Sequence, residues 1–457
     1  MVYRAEQRSI RMMLAGDAMP ARRLTPFDEP DFLALAELFR AADVGFANLE
    51  TTVREPHEGT PIVTQGTPMS TPPVLLDELK WFGIDMMSCA NNHATDWGPD
   101  GLASMLAHLA ARGMPAAGAG LNLAEALRPA YLDTAAGCVA LLAATSFFPH
   151  WTRAADQRPD APGRPGVNAV AFSNVYSVDD AALAALGQIG KRLGLTQHRA
   201  RQRKMFFSAQ EAPEDSADQI NFLGERFVRG SEFAIATRAN TRDVENNLRW
   251  VHEARRQADW VIFSFHCHEF GAAGRLAAES HVGMAEPAQF AVEFAHAVID
   301  AGADVVIGHG PHLTLGIELY KGRPIFYSLG NLIFQNDNVP VFPAESYARF
   351  GLDHRATPTD FLDARTGNET RGFPAEREYW QGLGAACEWT GGKLGEVRLH
   401  PLDLGAGRSR SQRGRPVLAR GEVAQAILAR VKRLSAHHGT EVAIEGETAV
   451  VKLGARI

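Results

Sequence analysis

IDMMSCANNHATDWGPDGLASMLAHLAARG, residues 84–113, holds three kinds of segment in one run. Ile84 to Ala90 is apolar and reads as a buried strand, and Gly98 to Gly113 carries apolar residues at helical spacing. Between them stand Asn91, Asn92, His93 and Asp96. Polar groups at the mouth of a buried strand are costly to desolvate unless a helix end or a ligand uses them. A strand feeding a helix through such a loop is the repeating unit of a layered α/β fold.

The alternation extends in both directions. Upstream, IRMMLAG reads as a strand, PDFLALAELFRAA as an amphipathic helix, VGFANLE as a strand and PPVLLDELKWFG as a helix. Downstream come a short strand, MPAAGAG, the helix LNLAEALRPA and a strand hairpin, AYLDTAAGCVALLAAT. Residues from about 150 to 240, rich in Pro, Arg, Gln and Asp, break the pattern and read as an insertion with some helix. Order returns with the helix NTRDVENNLRWVHEARRQA and the strand DWVIFSFHCHE, followed by another helix, AEPAQFAVEFAHAVIDAG. The strand ADVVIGHG and the hairpin LGIELYKGRPIFYSLGNLIF come next, the latter turning at KGRP, where Gly322 can take a positive φ. A second polar insertion spans about 335–378. Residues 401–457 then supply a helix and a short hairpin expected to form a C-terminal appendage beside the main 1–400 domain.

Composition excludes several classes. The 457 residues are 46% hydrophobic and 22% charged, ordinary for a globular protein with a large core. A net charge of −7 and a pI near 6.2 give no polycation for nucleic acid or anionic membrane. The four cysteines lack paired metal-binding spacing and suit a reducing compartment. The opening MVYRAEQRSIRMMLAGD lacks the apolar core of a signal peptide, and no run matches the roughly 20 residues of a membrane span. The chain as written is therefore expected to be cytoplasmic.

Polar residues gather where apolar runs end. LAGD closes on Asp17, FANLE on Glu50 and SCANNH on Asn92 and His93; FSFHCHE delivers His266, His268 and Glu269, and VVIGHGPH delivers His309 and His312. Ligand sites of α/β sheets form at the carboxyl ends of strands. One such aspartate is usually a helix cap, and one such histidine is usually structural. Five ends offering only Asp, Glu, Asn and His are hard to explain in that way. Imidazole, carboxylate and amide oxygen without thiolate suit Mn²⁺, Fe, Zn²⁺ or Ni²⁺ better than Ca²⁺ or Mg²⁺. Seven or so ligands exceed one four-coordinate ion and match two ions sharing a carboxylate, roughly 3.5–4 Å apart, whose usual reaction is hydrolysis.

Taken in order, GDAMPAR, ANLETTV, ANNHATDWGPDGL, HCHEFG, GHGPHLTLGIELYKGRPIFYSLGN and LSAHHGTEVAIE resemble the CapA family of poly-γ-glutamate capsule synthesis proteins, within the calcineurin-like metallophosphoesterase superfamily. The resemblance covers roughly 10–150, 240–335 and 375–457. It implies a four-layer αββα sandwich of two mixed sheets and two divalent metal ions, most often Mn, Fe or Zn. Asp17 would open the first metal site, Glu50 would bridge, and Asn92, His266 and His309 would hold the second ion, with His312 on the first. His93 would be the acid that protonates the leaving group, oriented by Asp96. Two departures stand out: Met19 replaces a usual histidine, which leaves His268 or Glu269 as a substitute ligand, and GHGPH is one residue longer than the common motif, so the ions served by His309 and His312 stay open.

Arg22 and Arg23 could hold an anionic substrate by paired hydrogen bonds, or form surface ion pairs. Asn331 could reach the site or satisfy a turn, and strand alternation would turn Cys267 away from its flanking histidines as a buried thiol. The leading expectation is a metal-dependent hydrolase cleaving a phosphoester or a γ-glutamyl or other amide bond. The alternatives are a non-catalytic polyglutamate-handling protein that keeps the metal site as a clamp, and an amide-forming or amide-cleaving biosynthetic enzyme. No GxxxxGK loop supports ATP-driven ligation.

Overall fold

Strand Ile10–Met19 is apolar on both faces and nearly all buried, as a strand central to a covered sheet must be. In the computed structural model, which describes residues 9–63, 66–205, 214–271 and 286–453, it is the hub of a ten-stranded mixed sheet. Residues 1–8, part of the opening read above for a targeting signal, lie outside the described residues, as do residues 206–213 of the first insertion. The hub strand runs parallel to Val44–Leu49, which runs parallel to Met86–Ser88. Its first half pairs antiparallel with Gln381–Thr390, and its end, Asp17–Met19, pairs in parallel with Asn331–Phe334. The change of partner needs close backbone approach. A Cβ on Gly16 would stand 1.9 Å from the Gly330 carbonyl oxygen.

A six-stranded sheet carries Gly137–Thr145, Trp260–His266, Val305–His309 and Arg323–Phe326 in parallel, with antiparallel edges at Ala130–Thr134 and Ile317–Tyr320. Lys321 and Gly322 both have positive φ at the tip of the KGRP hairpin, the mirror turn that matches strand twist. Met12, Leu14, Phe46 and Met86 from the large sheet share one buried cluster with Leu141, Ile262, Val305 and Ile307 from the smaller one. Period-two alternation turns Met13, Ala47 and Met87 the other way. There they meet Phe32, Leu35, Leu76, Leu102 and Met105 of helices Pro30–Arg40, Val74–Phe82 and Gly98–Ala111. Each fully buried large apolar side chain contributes about 2 kcal/mol. The result is the mixed α/β architecture that the element pattern implied.

Two compact units divide the chain. One comprises residues up to 170, 244–269 and 295 onward, and contains both sheets; the other is Ala171–Asp243 with Phe270–Phe294. The second unit holds helices Asp180–Arg192 and Leu195–Met205, and a four-stranded sheet built from Phe172–Val178, Gln219–Phe222, Glu225–Arg229 and Ala234–Ala239. The sequence reading expected helix there and missed the sheet. The expected appendage takes a specific form: hairpin Val442–Glu445 and Thr448–Val451 pairs with Arg398 and Leu399 and extends the ten-stranded sheet, while Ile427, Leu428 and Val431 of helix Gly421–Ala436 enter the intersheet cluster. The second insertion carries helix Pro358–Thr366, whose Phe361 and Leu362 join the outer cluster. No helix among the described residues is long and apolar enough to cross a membrane.

Candidate metal centre

Strand register brings the polar ends together. Asp17 stands beside Asn331 on one side and Asn48 on the other, and His266 is in register with His309 on adjacent parallel strands. Asp17, Glu50, His266 and His309 are fully buried. Oδ1 of Asp17 accepts from Asn48 Nδ2 at 2.8 Å and Oδ2 accepts from the Gly310 N–H at 3.0 Å. Nδ1 of His309 lies 3.3 Å from Oδ1, and Nδ1 of His312 lies 3.5 Å from Oδ2. Burial alone would raise the Asp17 pKa, but hydrogen bonds from His309 and His312, then the charge of His309 and His266, hold its carboxyl well below the usual range.

Glu50 is the opposite case. Among the described residues, neither of its two buried carboxylate oxygens has a hydrogen-bond donor. They face imidazoles at longer range: Oε1 is 3.6 Å from His266 Nε2 and 4.0 Å from His93 Nε2, and Oε2 is 3.8 Å from His312 Nδ1. Burial, then the neighbouring charge of Asp17, pushes its pKa well above the ordinary value. A buried carboxylate without donors is expensive, and a cation is the usual remedy.

The histidines converge in the same way. Nδ1 of His266 is 2.9 Å from Nδ1 of His309, and its Nε2 is 2.9 Å from His268 Nε2 and 2.8 Å from Asn92 Oδ1. Burial and mutual repulsion hold His266 well below its usual pKa and bring His268 down to about 3, so both stay neutral with lone pairs available. Three overlapping sets of ligand atoms each fall within 4.8 Å of one another: Asp17, His266 and His309; Glu50, His266 and His268; Asp17, Glu50 and His312. Such a set of imidazole and carboxylate donors fits divalent transition-metal ions.

His93 stands at the edge of this cluster. Its Nδ1 is 2.6 Å from Asp96 Oδ2, which also accepts from the Met69 N–H at 2.7 Å. His312 takes a left-handed backbone, φ 58°, unusual for a residue with a Cβ. Its Nδ1 lies 3.0 Å from Asn331 Oδ1, and its ring packs between Phe334 and Phe373.

Not every expected residue joins. Glu269 turns to Ser146 Oγ at 2.6 Å and Cys267 Sγ at 3.2 Å and belongs to none of the three ligand sets, so of the two substitutes for Met19 the geometry brings in His268 alone. Met19 itself is core. Arg22 donates to the Ser411 carbonyl, and the mostly exposed Arg23 lies 3.5 Å from Glu78, so both side chains are engaged away from the cluster. His309 and His312 both face Asp17 but fall in different ligand sets, His309 with His266 and His312 with Glu50. Asn331 reaches the site through His312 instead of serving only a turn. Sequence reading missed Asn48 and Asn91, whose amides link Asp17, the Leu49 carbonyl and each other. The available signal was spacing: Asn48 lies in strand Val44–Leu49, two residues before Glu50, which directly follows it.

Residues 11–336 match the family described as "Bacterial capsule synthesis protein PGA_cap". Uncharacterized protein y4sH of Sinorhizobium fredii is 34% identical over 455 residues, covering 97% of this chain and 93% of its own. The PGA biosynthesis protein CapA of Bacillus subtilis is 35% identical over 123 residues, 25% of this chain and 28% of its own. A probable polyglutamine synthesis accessory protein of Mycobacterium tuberculosis, Rv0574c, is 50% identical over 42 residues, 9% of this chain and 11% of its own.

Proposed function

The chain belongs to the bacterial capsule synthesis protein family PGA_cap, and from that premise we propose that it is a metal-dependent hydrolase acting on a phosphoester or a γ-glutamyl or related amide bond. The carrying observation is Glu50, a buried carboxylate with two unpaired oxygens among three imidazoles. Asp17, Glu50, His266, His268, His309 and His312 are the residues that would hold divalent metal, with Asn92 beside His266; Asp17, Glu50 and His266 each belong to two of the three overlapping ligand sets, which supports more than one ion. Bound divalent ions would supply Lewis acidity and lower the pKa of water at the site.

The chain's own residues do the rest. Burial keeps His266 and His268 neutral, as ligands must be. Asp96, fixed by the Met69 N–H, accepts from His93 Nδ1 and so sets the ring's tautomer and aim. Nε2 of His93 then faces the Glu50 side of the cluster, where it can hold a proton and give it to a departing oxygen or nitrogen.

The test is metal analysis of purified protein, followed by turnover of aryl phosphomonoesters, phosphodiesters and γ-glutamyl anilides with added Mn²⁺. Glu50→Gln keeps the shape and removes the charge, and should lose bound metal and turnover together. Full Mn²⁺-dependent turnover in that variant would overturn the reading. The relatives named for biosynthesis support a second reading, in which the same cluster clamps an acidic chain without cleaving it. Metal-dependent binding of poly-γ-glutamate with no turnover of any of these substrates would favour it.

A further inference from the structure

The second insertion does more than cover the outer core. Phe373 packs edge-on against His312, and the Tyr379 carbonyl accepts from Asn331 Nδ2 at 2.9 Å, so this segment borders the metal cluster. Its helix Pro358–Thr366 sends Arg365 to the Thr67 hydroxyl. Thr67 begins a short segment tied to the cluster's rim at several points. Met69 N–H holds Asp96, the Met69 carbonyl accepts from Trp97 Nε1 at 3.0 Å, and Thr71 Oγ1 bonds Pro20 and Thr51, the neighbour of Glu50. At about 3.3 Å per extended residue, Thr67 lies within roughly 7 Å of Met69.

Arg365 is unusual among the arginines of this region. Arg413 is paired with Asp337 and Glu369, Arg410 with Asp363 and Glu369, and Arg415 with Glu29. Arg365 is half-buried, yet among the described residues no carboxylate lies within ion-pair distance, and the Thr67 hydroxyl is its only partner. Asp337, the acid whose charge reaches it, is already held by Arg413. Its remaining N–H groups are neither paired nor sealed from solvent. A guanidinium has five donors in a fork that fits the two oxygens of an oxyanion. Because that fork opens to solvent and no carboxylate of the described residues occupies it, an oxyanion of a ligand can reach it.

We infer that Arg365 and Thr67 form the oxyanion-reading subsite beside the metal cluster and bind a carboxylate or phosphate group of the substrate remote from the bond that is cleaved. The inference deepens the hydrolase reading, since it assigns specificity to an insertion outside the motifs that carry the metal ligands. Arg365 is a positioning residue here, and so is Thr67.

The test is direct binding by calorimetry, with glutarate and inorganic phosphate as probes, on EDTA-treated and Mn²⁺-loaded full-length protein. EDTA-treated protein reports the subsite without the metals, which separates failure of this inference from failure of the hydrolase reading. Wild type should bind at least one probe in both states, and the tighter probe identifies the oxyanion. Arg365→Gln should weaken that binding at least tenfold with metal content unchanged, Arg365→Lys should recover part of it as a point charge, and Thr67→Val should weaken it severalfold. Melting temperature is read on each variant to establish folding. Unchanged affinity in folded Arg365→Gln overturns the inference, as does wild-type protein that binds neither probe in the EDTA-treated state. A melting temperature lowered by Arg365→Gln with probe affinity intact also overturns it, and makes Arg365 a structural residue.

Discussion

Two approaches define what His93 can do, one on each ring nitrogen: a hydrogen bond of 2.6 Å to Asp96 and a longer 4.0 Å separation from Glu50. A ring fixed on one side and facing the cluster on the other suits a proton donor better than a ligand, and it belongs to none of the three ligand sets. His93→Asn should therefore lower turnover by about 10²–10⁴-fold while metal content stays at the wild-type level. Asp96→Asn, which leaves the ring without its carboxylate, should cost less than His93→Asn and shift the pH–rate profile. Loss of metal in His93→Asn, measured by elemental analysis, would move His93 into the ligand set. His93 was legible in the sequence because it closes an apolar run, where a polar side chain needs a reason; the role of Asp96 came only from the resemblance to the family. Asn48 and Asn91 were harder to read. Asparagine near a strand end is common in turns, and its partners here, Asp17 and the Leu49 carbonyl, are set by three-dimensional pairing.

At the scale of elements, the hub strand changes partner at Gly16, and the site depends on that change because Asp17 is the next residue. Alanine at position 16 would force its methyl onto the Gly330 carbonyl, 1.9 Å away, and separate the strands that carry Asp17 and Asn331. Backbone cannot yield as a flexible side chain does. Gly16→Ala should cost about 3 kcal/mol or more in urea unfolding, and a loss below 1 kcal/mol would contradict the close approach. On strand Lys393–Asp403, His400 is buried with Nε2 unpartnered, and burial, then Arg398 and Arg11, pushes its pKa down to about 4. It stays neutral in the fold, whereas the unfolded chain takes up a proton below about pH 6.5. Its contribution is thus intact above pH 6.5 and is lost as pH falls toward 4, by roughly 3 kcal/mol at most. His400→Leu should flatten the stability–pH curve between those limits; an unchanged slope would show the site to be more open than the structure has it. The central strands of the main sheets, such as Ile10–Met19, Trp260–His266 and Val305–His309, were readable as mostly apolar runs alternating with helical patterns. The four-stranded sheet of the second unit was not, because strands such as Glu225–Arg229 are short, half-buried and charged at both ends.

Across the whole molecule, the proposed ligands come from both sheets: Asp17 lies two residues before the end of strand Ile10–Met19 and Glu50 directly follows Val44–Leu49 in the ten-stranded sheet, and His266 and His309 end strands of the six-stranded one. An ion held among them would join the carboxyl ends of two layers that otherwise meet through apolar contact and a few polar ones, such as the Gly310 N–H to Asp17. Without it, Asp17, Glu50 and four imidazoles are packed together with Glu50 unsatisfied, and the fold carries that cost. Binding to the folded form alone stabilises it by about 4 kcal/mol at a thousandfold excess over Kd. For a chain of 457 residues this corresponds to a melting shift of about 5 °C. EDTA should lower Tm by that order, and Mn²⁺ or Zn²⁺ should restore it. Glu50→Gln should respond differently: it removes the unsatisfied charge, so its metal-free form should melt at or above metal-free wild type while losing most of the metal-induced shift. Wild type that melts at one temperature in both conditions would mean that no ion couples the sheets. A Glu50→Gln protein that keeps the full shift would mean that the ion binds away from Glu50, because a ligand that stabilises without that carboxylate cannot be the partner its buried oxygens lack.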